Sequence, residues 1–70
     1  MEKHSVSIRG HATSFSLEKE FWGELKTLAK ERNISLAQLV TQIDTKRTEG
    51  QNLSSAIRIF VLKSLKSGLT

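Results

Sequence analysis

Seventy residues make one domain at most, and a chain this short buries only about 60% of its unfolded surface, so a stable monomer is marginal and dimerisation is a natural remedy. With no cysteine, disulfides, thiolate metal sites and thiol nucleophiles are excluded, which is compatible with a reducing, cytoplasmic setting. A formal charge of +4 and a pI near 9.9 favour an anionic partner, nucleic acid being the commonest, with plain solvating charge as the alternative.

The first residues, Met1-Glu2-Lys3-His4-Ser5, are polar and lack the apolar core of a signal peptide. Residues 5–10 alternate, with Val6 and Ile8 on one side, but Gly10 interrupts the pattern and suggests a bulge or bend. Residues 1–10 are therefore read as an N-terminal arm, ordered on binding, in front of a domain spanning residues 11–70. The segment His11-Ala12-Thr13-Ser14-Phe15-Ser16-Leu17 alternates with a period of two. Thr13, Phe15 and Leu17 fall on one face of an extended chain, and Ala12, Ser14 and Ser16 on the other. Everything after it reads as helix, so residues 11–17 are the one substantial strand. A lone strand cannot satisfy its backbone groups, and the simplest partner is the same strand of a second copy.

Helical spacing of Phe21, Trp22, Leu25, Leu28 and Ala29 predicts a helix over residues 18–32, with Trp22 as a core or interface anchor. Glu18 and Glu20 lie at its start and Lys30 and Arg32 at its end, in keeping with the helix dipole. Asn33 can take the left-handed conformation that ends a helix. Ser35 and Gln38 form an S-x-x-Q capping box, and Ile34 and Leu39 a hydrophobic staple, so a second helix over residues 36–47 follows, burying Leu36, Leu39, Val40 and Ile43. Asn52 caps a third helix over residues 53–66, with Gly68 as a C-terminal stop. Leu53, Ala56, Ile57, Phe60 and Val61 cover one side of it, and Ile59, Leu62 and Leu65 much of the other. A helix apolar nearly all round is a buried one, and in so small a chain a second subunit must supply part of the cover. The longest apolar run, Ile59-Phe60-Val61-Leu62, is far short of the roughly 20 residues of a membrane span.

The chain offers little for catalysis. There is no nucleophile elbow and no Gly-rich phosphate loop, Asp44 is the only aspartate, and His4 and His11 have no spacing suited to a metal. Neither an enzyme nor a cofactor is expected. What remains is a mostly α chain with one short strand. Paired antiparallel with its copy, that strand makes an intermolecular two-stranded ribbon lying on the helices through Thr13, Phe15 and Leu17. The ribbon's outer face, Ala12, Ser14 and Ser16 from each chain, suits the major groove of B-DNA. The free N–H groups at the start of the second helix, around Ser35, Leu36 and Ala37, suit a phosphate. The expected core and dimer interface comprise Thr13, Phe15, Leu17, Phe21, Leu39, Ile43, Ile57, Phe60 and Val61.

Strand, helix, Asn-x-Ser turn and helix in this order resemble the ribbon-helix-helix DNA-binding family (Arc/MetJ-like). The phrases Ser5-Val6-Ser7-Ile8-Arg9-Gly10-His11, Thr13-Ser14-Phe15-Ser16-Leu17-Glu18, Phe21-Trp22 and Asn52-Leu53-Ser54-Ser55-Ala56-Ile57-Arg58 resemble a subgroup of short bacterial members. The resemblance implies a homodimeric transcriptional regulator, base contacts from Ala12, Ser14 and Ser16, and phosphate contact at Ser35, beside the Leu36 amide already named. One position departs from the pattern: Ala12 stands where such proteins usually carry a basic or polar residue, so Arg9 and His11 are expected to help from the arm. The partners implied are double-stranded DNA and a second copy, with higher-order assembly on DNA open. Two alternatives stand beside this. One is a protein-binding module, such as an antitoxin or small adaptor, although no long tail follows the fold. The other is a helix-turn-helix protein reading DNA through Gln38, Thr41, Gln42 and Thr45.

Overall fold

In the computed structural model, which describes residues 1–68, the alternating pattern at the start of the chain becomes two strands. β1 (Glu2–Ile8) and β2 (His11–Leu17) pair antiparallel, with Ile8 opposite His11 and Glu2 opposite Leu17. Arg9 and Gly10 make the whole connection, and both have positive φ, 52° and 82°. Two central residues at positive φ define a type I′ hairpin turn, whose twist matches that of the strands it joins. The arm expected over residues 1–10 is thus a strand and a turn, and of the bulge or bend expected at Gly10 it is the bend that forms. The expectation that residues 11–17 form the only strand, paired with its copy across a dimer, is corrected in the same way: the ribbon closes within the chain. Arginine is a poor resident of the left-handed region, at about 1–2 kcal/mol. Its guanidinium Nη2 donates to Thr45 Oγ1 at 2.7 Å, which ties the turn to the second helix.

Gly10 gives a clean test of this turn. A Cβ there meets nothing within 4 Å, so Gly10→Ala carries only the backbone cost of φ +82°, about 1–2 kcal/mol. Gly23 also has open space around a new Cβ but lies inside a helix, so Gly23→Ala should stabilise by about 0.5–1 kcal/mol. Urea midpoints moving in opposite directions for the two variants check both assignments.

α1 (Lys19–Glu31) buries Leu25 and Ala29, with Phe21, Trp22 and Leu28 half-buried beside them. Asn33, at φ 60°, ends it. The Asn33 N–H donates to the Lys30 carbonyl at 3.0 Å and the Ile34 N–H to the Ala29 carbonyl at 3.1 Å, the paired bonds of a Schellman motif. One residue on, Ser35 opens α2 (Leu36–Lys46), which buries Leu39, Val40 and Ile43. Asn52 Oδ1 then accepts from the Ser55 N–H at 2.8 Å and starts α3 (Leu53–Gly68). This helix runs past the expected end at residue 66 to Gly68, and any stop after Gly68 lies outside the described residues.

Every element contributes to one apolar core. Leu17, Leu25, Leu39 and Ile57, from β2, α1, α2 and α3, are all fully buried. Ile8 and Phe15 add the inner face of the ribbon, which therefore rests on the helices. Of the nine residues expected in the core or at a dimer interface, Phe15, Leu17, Leu39, Ile43, Ile57 and Val61 are buried within this chain alone, while Thr13, Phe21 and Phe60 are half-buried. Among the described residues, the second apolar side of α3 is left open to solvent: Ile59, Leu62 and Leu65 are 42%, 54% and 44% exposed.

Candidate nucleic-acid interface

The strand register builds the outer face of the ribbon from both strands. Lys3 stands opposite Ser16, Ser5 opposite Ser14 and Ser7 opposite Ala12. Since side chains alternate along a strand, these six residues share the face opposite Val6, Ile8, Phe15 and Leu17. Five of them are exposed and Ser16 is half-buried. At the centre, Ser5 Oγ and Ser14 Oγ are 3.2 Å apart and share a hydrogen bond in which either can donate. Between residues 3 and 17 there is no carboxylate, although the chain carries seven, and the same stretch holds Lys3 and Arg9. The face is rich in small hydroxyls and free of negative charge.

Lys3, Ser5 and Ser7 were not among the residues expected from the sequence. The alternation through Val6 and Ile8 was the available signal, and without a recognised turn it could not be placed against residues 11–17. Arg9 lies in the turn with its guanidinium on Thr45, and His11 is exposed beside it, on the same side of β2 as Thr13 and Phe15. Ser16 has a second tie, its backbone N–H donating to Ser54 Oγ at 3.2 Å. That bond fastens the edge of β2 to the start of α3.

At the start of α2 the capping box is complete. The Gln38 N–H donates to Ser35 Oγ at 3.1 Å and the Ser35 N–H to Gln38 Oε1 at 2.9 Å. Ser35 Oγ is the acceptor in this cap, so its O–H still has a proton to give to an anion, beside the first-turn amides of Leu36 and Ala37. Of the four α2 residues offered by the helix-turn-helix alternative, Gln38, Thr41 and Thr45 have hydrogen bonds within the fold, and Gln42 is exposed. Gln38 closes the capping box, Thr41 and Thr45 hydroxyls donate to the Ala37 and Thr41 carbonyls, and Thr45 also receives Arg9.

Two further contacts hold the ribbon to the helices. The His4 ring stacks on Trp22 with centroids 3.6 Å apart and planes 6° from parallel, and Phe15 lies about 6 Å from both rings, at 6.0 Å and 6.1 Å. Trp22 is thus the anchor for β1 on α1, with Lys26 Nζ 5.7 Å from its ring centroid. Below the ribbon, Arg58 on α3 reaches Glu18 at the junction of β2 and α1, its Nε donating to Oε1 at 2.9 Å and its Nη2 to Oε2 at 3.3 Å. The hydrogen bonds from Arg58 hold the Glu18 carboxyl below its ordinary value near 4.5. A depressed carboxylate pKa adds stability above the unfolded value, and that stability is lost as pH falls through the folded one. Glu18→Gln should therefore be less stable than the parent at pH 7, and the gap should close in acid; a gap unchanged down to pH 3 would remove the ion pair from the account. Because both side chains are partly open to solvent, the effect is small.

A two-stranded ribbon, a helix, a capped turn and a second helix, in this order, define a ribbon-helix-helix architecture. A family model for the ribbon-helix-helix domain matches residues 1–65, and the chain belongs to that family. The match takes in β1 and most of α3 as well as the minimal motif. No curated protein and no solved structure matches the chain. Among the described residues, no helix is long and apolar enough to cross a membrane.

Proposed function

We propose that the chain is a homodimeric, sequence-specific DNA-binding protein, a cytoplasmic transcriptional regulator of a bacterium, whose ribbon enters the major groove. The observation that carries this reading is the outer face of the hairpin: Lys3, Ser5, Ser7, Ala12, Ser14 and Ser16, with no carboxylate among residues 3–17. The major groove, about 12 Å wide, admits a two-stranded ribbon, and short hydroxyls can both donate to and accept from base edges. Ala12 contributes a methyl suited to the methyl of thymine. The amides of Leu36 and Ala37, at the positive end of the α2 dipole, take a backbone phosphate and fix the register.

Dimerisation rests on the family, for which paired chains on DNA are the expectation, and no longer on a strand without a partner. Each chain brings its own ribbon to the pair, because β1 pairs with β2 and Ser54 holds the Ser16 amide. Titrating a labelled duplex at several salt concentrations tests the reading. Phosphate contacts release counterions, so the logarithm of the affinity should fall linearly with the logarithm of salt. Affinity that ignores salt would remove DNA as the partner.

A further inference from the structure

We propose that the groove between α2 and α3 docks an acidic amphipathic helix of another protein. The groove has a volume of about 400 Å³. Ile43, Ala56, Ile59 and Phe60 supply its apolar floor, and Arg32, Lys46, Arg47 and Lys63 line it with positive charge. Among the described residues no carboxylate lines it, and the neighbouring Asp44 is held by Arg47 at 2.9 Å. The guanidinium of Arg32 sits 4.9 Å from the centre of the Phe60 ring, so cation and apolar surface are parts of one platform.

The floor does not end at the groove. Ile59 continues along α3 into Leu62 and Leu65, all three exposed, with Lys63 and Lys66 beside them. From Ile59 to Leu65 this is a strip of about 9 Å, close to two helical turns. An apolar strip edged by cations matches a helix with apolar residues at i, i+3, i+4 and i+7 and carboxylates flanking them.

Charge decides between the possible occupants. A second copy seated here would bring a face with Arg32, Lys46 and Lys63 against one bearing the same cations, and α3 has no acidic residue to answer them. Nucleic acid would satisfy the cations but leave Ile59, Phe60 and Leu62 without apolar cover. An acidic amphipathic helix answers both demands. The groove uses none of the ribbon residues and neither Leu36 nor Ala37, so this docking is independent of the DNA reading and compatible with it.

The test uses the full chain and two labelled peptides of about 16 residues, roughly four helical turns. Both present the same Leu/Phe face; one is flanked by glutamate and the other by lysine. Fluorescence anisotropy should show binding of the glutamate peptide only. The double variant Lys46→Glu and Lys63→Glu should lose roughly tenfold or more in affinity for it and gain affinity for the lysine peptide. Ile59→Ser, at an exposed position, should weaken binding without unfolding the chain, as circular dichroism would show. Equal binding of the two peptides, or none of the glutamate peptide, overturns the proposal. So does displacement of the peptide by duplex DNA, or a wild-type dimer that Leu62→Glu converts to monomer, since either outcome assigns this face to another occupant.

Discussion

Leu17→Ala is expected to leave the chain close to its unfolding limit at room temperature. Leu17 is the last residue of β2, fully buried at the point where the ribbon meets the helices. Truncating a buried leucine removes its transfer energy and leaves a cavity, together about 2–5 kcal/mol. At about 0.05–0.15 kcal/mol per residue, a chain of this length has a total stability of roughly 3.5–10 kcal/mol. One substitution therefore removes a large share of the whole. Leu17→Met keeps most of the volume and should cost less than about 1.5 kcal/mol. Urea unfolding followed by circular dichroism separates the two, and a Leu17→Ala variant within about 1 kcal/mol of the parent would contradict the placement of this residue at the centre of the core.

The double variant Ser5→Ala and Ser14→Ala is expected to keep the fold and lose discrimination between DNA sequences. The two hydroxyls meet at the middle of the ribbon's outer face, 3.2 Å apart, and the exposed pair supports the hairpin only weakly, by roughly 0.2–1 kcal/mol. If they read base edges, each lost contact should cost about 1–3 kcal/mol on a preferred duplex, selected from a random pool, and little on a scrambled one. Lys3→Ala should behave differently. A phosphate contact carries no sequence information, so its loss should weaken both duplexes alike and reduce the salt slope by about one. Should the serine variant keep the parent's ratio of preferred to scrambled affinity, the outer face would not be the reading surface.

The helical part of this fold was written in local chemistry. Asn33 at φ 60°, the Ser35–Gln38 capping box and the Asn52 cap each act within four residues, and each lies where short-range spacing puts it. The faces of β2 were equally legible, because alternation alone separates Phe15 and Leu17 from Ser14 and Ser16. The hairpin was not. Type I′ turns favour Asn-Gly or Asp-Gly, and Arg9-Gly10 carries only half of that signal. Its arginine is held by Thr45, 36 residues further on. Without the turn, residues 3–7 have no register against residues 12–16, and the sequence alone does not make Lys3, Ser5 and Ser7 neighbours of Ser16, Ser14 and Ala12. The tie between Glu18 and Arg58 is hidden for a similar reason, since it spans 40 residues and depends on how α3 crosses the end of β2. The exposed side of α3 was visible in the sequence as an apolar excess. Its setting, beside a groove lined by cations from three helices, exists only in the folded chain.

The most direct test is a map of the DNA-bound surface by amide chemical shifts, with labelled full-length chain titrated against duplex DNA. The account predicts that the largest changes fall on residues 3–7, on residues 12–16 and on the amides of Leu36 and Ala37. Changes centred on Gln38, Thr41, Gln42 and Thr45, with the ribbon silent, would contradict it and make α2 the reading helix.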